Sequence, residues 1–391
     1  MNTGKPQKKN NRSLFYRISA WLHLWLGLVS GIVIVIICIT GVTWSFRDEI
    51  KDWLNPELRI DSVPGKEMAN PAELYTKARA LYPSEEISFV WRPTGKAAMV
   101  GFGKRNPGFV LHINPYTGEV IRKPSFKEEF DFFEWTLKGH RFLWLPSEIG
   151  RPVINYSTFV FLITLLSGLV LWWPKKWTKA MRKQSFSVKW DAKIKRLNYD
   201  LHNVFGFYAM VFLLVISMTG MYYGLPWFNK FLYFTTSLGQ SPETERKEIN
   251  NISSYQPEKL AESMLMAWED AVDQVNAKGY YLSVPKDSTE TIGIFLYSSH
   301  RQFYDLQSFS YDRNTGIRLA NASAYAAPFD RADFATKVQK LNYDLHVGSA
   351  FGGIWGRVLY FFITLIGASL PVTGFLVWWF KKKKKNKIER D

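Results

Sequence analysis

The chain has 391 residues, enough for two to four folded units at about 100–200 residues each. Lys and Arg number 50 against 34 Asp and Glu, a formal charge of +16, and 16 tryptophans help bring the aromatic share to 16 %. A hydrophobic content of 47 % excludes a disordered chain, and the single cysteine, Cys38, excludes an intramolecular disulfide and any multi-cysteine zinc or iron–sulfur centre.

Taken in chain order, four stretches lack Asp, Glu, Lys and Arg: residues 18–46, 152–174, 201–229 and 358–380. Each reaches the roughly 20 residues that cross a hydrocarbon core as a helix, and lipid leaves the backbone no other way to satisfy its hydrogen bonds. The order predicted is a cytoplasmic N-terminus over 1–17, transmembrane helix 18–46, outer domain 47–151 and transmembrane helix 152–174. A cytoplasmic loop over 175–200, transmembrane helix 201–229, outer domain 230–357, transmembrane helix 358–380 and a cytoplasmic tail over 381–391 complete it. The first span is too long for a signal-peptide core and no small-residue cleavage site follows it, so it reads as an uncleaved anchor.

Both outer segments have soluble-domain composition. In the first, Pro71–Tyr82 reads as an amphipathic helix with Asn70 as N-cap. Extended runs follow at Ser88–Arg92, Ala97–Phe102 and Gly108–Ile113, then a turn at Asn114–Gly118. In the second, Pro257–Val275 is helical in pattern, with extended runs at Tyr280–Val284, Thr291–Tyr297 and Arg301–Asp305 and a turn at Asp312–Gly316. A helix with a small antiparallel sheet, twice, is the expectation.

Basic residues set the orientation. Residues 1–17, 174–198 and 381–391 hold 21 of the 50 bases and 3 of the 34 acids. The positive-inside rule puts all three in the cytoplasm. The charge is therefore a topology signal and no sign of nucleic-acid binding; Lys381–Lys385 is a stop-transfer anchor that can also touch anionic lipid.

The chain repeats itself without gaps. His23, Gly27 and Thr40-Gly41 match His202, Gly206 and Thr219-Gly220. His140, Gly150-Arg151, Gly168 and Trp172-Trp173 match His346, Gly356-Arg357, Gly374 and Trp378-Trp379. The unit is helix–domain–helix, duplicated. A further echo, Leu197–His202 against Leu341–His346, joins different kinds of span and has no place in this scheme.

Four of the six histidines sit at span ends in these repeat positions, whereas His112 and His300 fall in the outer segments. His23 and His202 begin outward-running helices; His140 and His346 precede inward-running ones. Each membrane level thus has two imidazoles, one per repeat, which matches the axial ligation of a b-type haem in a helical bundle. Gly27 and Gly206 leave room for a porphyrin face or for close helix packing. Arg151 and Arg357 are candidates for haem propionates or ordinary interface anchors. A straight helix from His23 to Phe46 runs about 35 Å, too far for rapid transfer between haems at its two ends. Pro146 and Gly150, and Gly352 and Gly353, predict that the outer ligand segments fold back toward the bundle. No G-x-G-x-x-G or P-loop follows a strand, so electrons would have to come from a partner or a quinol.

The H-x-x-x-G, G-R, T-G and W-W pairs, with the turns at Asn114–Gly118 and Asp312–Gly316, resemble the PepSY-associated transmembrane-helix family. That family includes ferric-siderophore reductases of the bacterial inner membrane and iron-regulated membrane proteins. The resemblance implies a four-transmembrane-helix bundle built from two repeats with PepSY-like α+β outer domains. It implies two haems b, with His23 and His202 as iron ligands of the inner one and His140 and His346 of the outer one. It implies an oxidoreductase of the bacterial cytoplasmic (inner) membrane, both termini cytoplasmic and the large domains periplasmic. Electrons from a cytoplasmic-side donor or quinol would pass outward to a ferric siderophore or other ferric chelate. Ser167-Gly168 departs from the T-G pattern. Trp91, Tyr116 and Trp135 are candidate walls of a substrate cleft. Two other readings stay open: a non-redox membrane protein whose outer domains bind peptides or an envelope protease, and a di-haem reductase with a non-iron acceptor.

Overall fold

The computed structural model describes residues 13–103, 109–126, 130–240, 256–287, 289–297, 302–321 and 323–388. His300 and Arg301 lie outside them. The first long helix, α1 (Leu14–Trp44), starts at an N-cap Ser13 whose hydroxyl accepts from the Tyr16 N–H. Next come α2 (Arg47–Leu54), α3 (Pro71–Leu81), four strands β1 (Ile87–Arg92), β2 (Ala98–Phe102), β3 (Val110–Ile113) and β4 (Val120–Arg122), then α4 (Phe132–Phe142) and α5 (Ser147–Trp172). The second half runs α6 (Lys179–Phe186), α7 (Ile194–Asp200), a π-helical turn Leu201–Phe205, α8 (Gly206–Gly224), α9 (Pro226–Thr236) and α10 (Leu260–Gln274). It ends with β5 (Gly279–Ser283), β6 (Ile292–Tyr297), β7 (Gln307–Tyr311), β8 (Arg318–Leu319), α11 (Phe334–Val347) and α12 (Ile354–Ile388).

Four helical stretches are long and apolar enough to cross a membrane: Leu14–Trp44, Ser147–Trp172, Ile194–Gly224 and Ile354–Lys383. They form a closed ring in which α1 packs on α5 and α12, and α8 packs on the same two helices. Ile34, Cys38, Phe161, Leu165, Ala209, Leu213 and Ile363 fill its centre. Many large apolar side chains face outward from these helices, including Val29, Ile32, Val211 and Phe362, as a lipid-facing surface requires.

Beyond one end of the bundle the strands form one sheet, in the order β4-β3-β2-β1-β5-β6-β7-β8. This corrects the expectation of two separate sheets. The halves join where β1 pairs antiparallel with β5, Val90 opposite Leu282 and Trp91 opposite Tyr281. Helices α3 and α10 cover one face, burying Leu74, Val100, Met264 and Ile294 in a shared core. α3 keeps the expected N-cap, completed as a capping box by Glu73. The extended run expected at Arg301–Asp305 is also corrected: among the described residues that stretch turns at Phe303–Leu306, and the strand forms later, as β7.

The expected fold-back is present. The chain leaves α4 through Leu143 and Trp144, both in the left-handed region (φ 54° and 57°), and enters α5 at once. A Cβ at Gly150 would collide with the Phe142 carbonyl, and one at Gly356 with the Gly348 carbonyl. The glycine of each Gly-Arg pair is thus what lets a short helix turn back on the span that follows it.

Candidate functional site

The four repeat-matched histidines meet as two pairs. His23 on α1 faces His202 in the π-helical turn, ring centroids 6.1 Å apart and planes crossed at 74°. His140 on α4 faces His346 on α11, at 6.3 Å and 61°. A π-helical turn inside a long helix recurs at functional sites, and here it carries a histidine. All four residues are half-buried although helices flank them. From His202 to Thr219, which touches His346, the continuous helix rises about 25 Å. The two levels are therefore closer than a straight run to Phe46 would put them.

Every ring rests in the same kind of cradle. His140 Nδ1 lies 2.8 Å from the Ile37 carbonyl and 3.4 Å from the Thr40 hydroxyl, and a Cβ on Gly41 would stand 3.1 Å from its Cε1. His23 Nδ1 lies 2.9 Å from the Thr164 carbonyl and 3.4 Å from Ser167 Oγ, with Gly168 against its Cε1. His346 meets the Thr219 hydroxyl at 3.0 Å, the Ile216 carbonyl and Gly220. His202 meets the Thr373 hydroxyl at 3.0 Å, the Leu370 carbonyl and Gly374. A carbonyl, a hydroxyl three residues on and the glycine after it recur four times. The T-G motif is visible in the sequence, but nothing there says that histidines dock on it. Ser167-Gly168 serves as the threonine pairs do.

The cradle fixes the chemistry of the ring. A carbonyl only accepts, so Nδ1 carries the proton, and Nε2 keeps a lone pair. Metal-bound histidines have the same arrangement: the second ring nitrogen donates to a carbonyl, which orients the ring and raises its basicity. With a metal–imidazole bond of about 2 Å and about 1 Å from nitrogen to ring centre, two imidazoles that share one metal ion have ring centres up to about 6 Å apart. Both observed pairs have that spacing. The residues present fit a haem iron at each pair. Among the described residues no group of three or more His, Cys, Asp or Glu could hold a different metal.

The other sequence candidates divide. Arg357 is buried, and its guanidinium is held by the Glu49 carboxylate at 2.5 and 2.9 Å and by the Ser45 carbonyl. Arg151 is exposed and lies over the Phe142 ring. A Cβ on Gly27 would meet Thr164, and one on Gly206 would meet Leu370, so both glycines face a neighbouring helix. Trp91 sits at the sheet seam and bonds Tyr297, Trp135 meets Trp144 in a tilted ring contact beside α4, and Tyr116 lies in the β3–β4 turn. No described ring contact joins these three. His112 belongs to β3, away from the four-histidine set.

The profile of the PepSY-associated TM region matches residues 20–381. The chain belongs to the PepSY-associated transmembrane family. The match takes in all four histidines and both halves of the sheet. A comparison with the curated proteins found no match.

Proposed function

We propose that this member of the PepSY-associated transmembrane family is a di-haem b electron-transfer protein of the bacterial inner membrane that reduces an extracytoplasmic ferric chelate, such as a ferric siderophore. The observation that carries the reading is the pairing of four cradled imidazoles, two by two, with ring centroids 6.1 and 6.3 Å apart. Two copies of a helix–domain–helix unit each supply one histidine to each pair. The termini and the base-rich segment 174–198 lie on the cytoplasmic side, with the sheet outside.

His23 and His202 would hold the inner haem, and His140 and His346 the outer one. Haem b bound there takes up and releases one electron at a time. The chain's own part is to fix the rings. The carbonyl and hydroxyl at each Nδ1 keep the proton off Nε2, and the glycine lets the ring lie against the helix. The apolar filling between the levels keeps water and ions out of the bundle. Arg151, exposed near the outer end of α5, is the arginine we assign to a propionate. The substrate step is Fe(III) plus one electron giving Fe(II), which hard oxygen chelators hold less tightly. The electron enters from a cytoplasmic carrier or a quinol.

Pyridine haemochrome analysis of the purified protein and of its four His→Ala variants tests the reading. Two equivalents of haem b in the wild type, falling to about one in each variant, support it. A folded, colourless wild type would sink it and favour a non-redox, peptide-binding role.

A further inference from the structure

The hexapeptide Leu-Asn-Tyr-Asp-Leu-His occurs at 197–202, running into α8, and again at 341–346, in α11. In the structure the two copies do the same thing. Asn198 Nδ2 donates to the Thr373 carbonyl at 3.0 Å, while His202 meets the hydroxyl of that same threonine. Asn342 Nδ2 donates to the Thr219 carbonyl at 3.3 Å, while His346 meets the Thr219 hydroxyl. An asparagine four residues before a histidine shares its helical face. Each copy therefore grips one threonine at two points, one helical turn apart.

Two such points restrain what one leaves loose. Contacts at the ring alone let the helix rotate or slide while the ring follows. A second hydrogen bond to the same threonine fixes rotation and axial position together. Both asparagines are buried, where an unmet amide would be costly. The aspartate two residues before each histidine ties the segment down on another side. Asp200 accepts from the Lys189 N–H and Arg196 Nε, and Asp344 from the N–H groups of Phe303 and Tyr304. The opposite member of each pair has a shorter residue four positions back, Ser19 before His23 and Thr136 before His140. The Thr136 hydroxyl bonds within its own helix.

We propose that Asn198 and Asn342 are positioning residues that lock one histidine of each pair in place, so that both irons keep two protein ligands and stay closed to outside ligands. This rests on the haem reading above. The test uses full-length protein reduced with dithionite and exposed to carbon monoxide, which binds ferrous haem only where an axial histidine yields. The wild type should carry two haems and give no carbon monoxide band. Asn198→Leu and Asn342→Leu should each give a band of about one haem's amplitude. Asn155→Leu is the control: Asn155 makes the same kind of interhelical bond, to the Gly224 carbonyl at 2.8 Å, without touching either threonine. It should give no band. If a leucine variant loses haem, the milder Asn→Ser change is read in its place. Variants that keep two haems and show no band overturn the inference alone, as does a control that reacts equally. A colourless wild type overturns the haem reading and this inference with it.

Discussion

His140 donates from Nδ1 to the carbonyl of Ile37, 103 positions earlier in the chain. That bond seats a short helix from the far side of an entire sheet half against the first membrane span. It sets the depth of the second histidine pair, and the glycine at position 41 allows the ring its place.

The cradle glycines are therefore open to a direct test. Gly374→Val or Gly168→Val should displace His202 or His23, whose Cε1 atoms would lie 3.0 Å from the new Cβ. On the di-haem reading, haem content should fall from two equivalents to about one, read by pyridine haemochrome at matched protein concentration. Gly27→Ala, where the nearest atom is an ordinary 3.5 Å away, should keep both.

Glu49→Gln should destabilise the bundle by roughly 2–3 kcal/mol, because it leaves the buried Arg357 guanidinium without its carboxylate. Thermal unfolding in detergent measures it, and a midpoint unchanged from wild type would refute it.

His112 makes the sheet acid-sensitive. Burial, with the Arg122 charge nearby, pushes its imidazole down to about 4, against an ordinary value of about 6.5. The unfolded chain then binds the extra proton first. Stability from this group is complete above about pH 6.5 and is lost as pH falls toward 4, amounting to about 3 kcal/mol. Unfolding midpoints followed from pH 7 to pH 4 should fall more steeply in the wild type than in His112→Gln.

Asn70→Ala should cost about 1 kcal/mol by removing the capping box of α3, while Asn70→Asp keeps most of the stability. Denaturant unfolding monitored in the sheet domain distinguishes the two.

The membrane spans and the composition of both histidine pairs were legible in the sequence, because charge-free runs and matched spacings are local features. The seam between the halves was not, since β1 and β5 stand far apart in the chain and neither carries a mark of its partner. The strand expected at Arg301–Asp305 failed for a physical reason. The Phe303 and Tyr304 N–H groups are taken by the buried Asp344 carboxylate, so they are not available to a ladder. The hexapeptide echo was plain as a string and opaque as chemistry, because its partner threonines lie on other helices.

In this fold, matching parts of the two halves touch each other: β1 with β5, His23 with His202 and His140 with His346. Like meeting like is what a two-fold relation between the halves would produce. Either half alone carries one imidazole for each pair and one unpaired edge at β1 or β5, so neither completes a pair or the seam without the other.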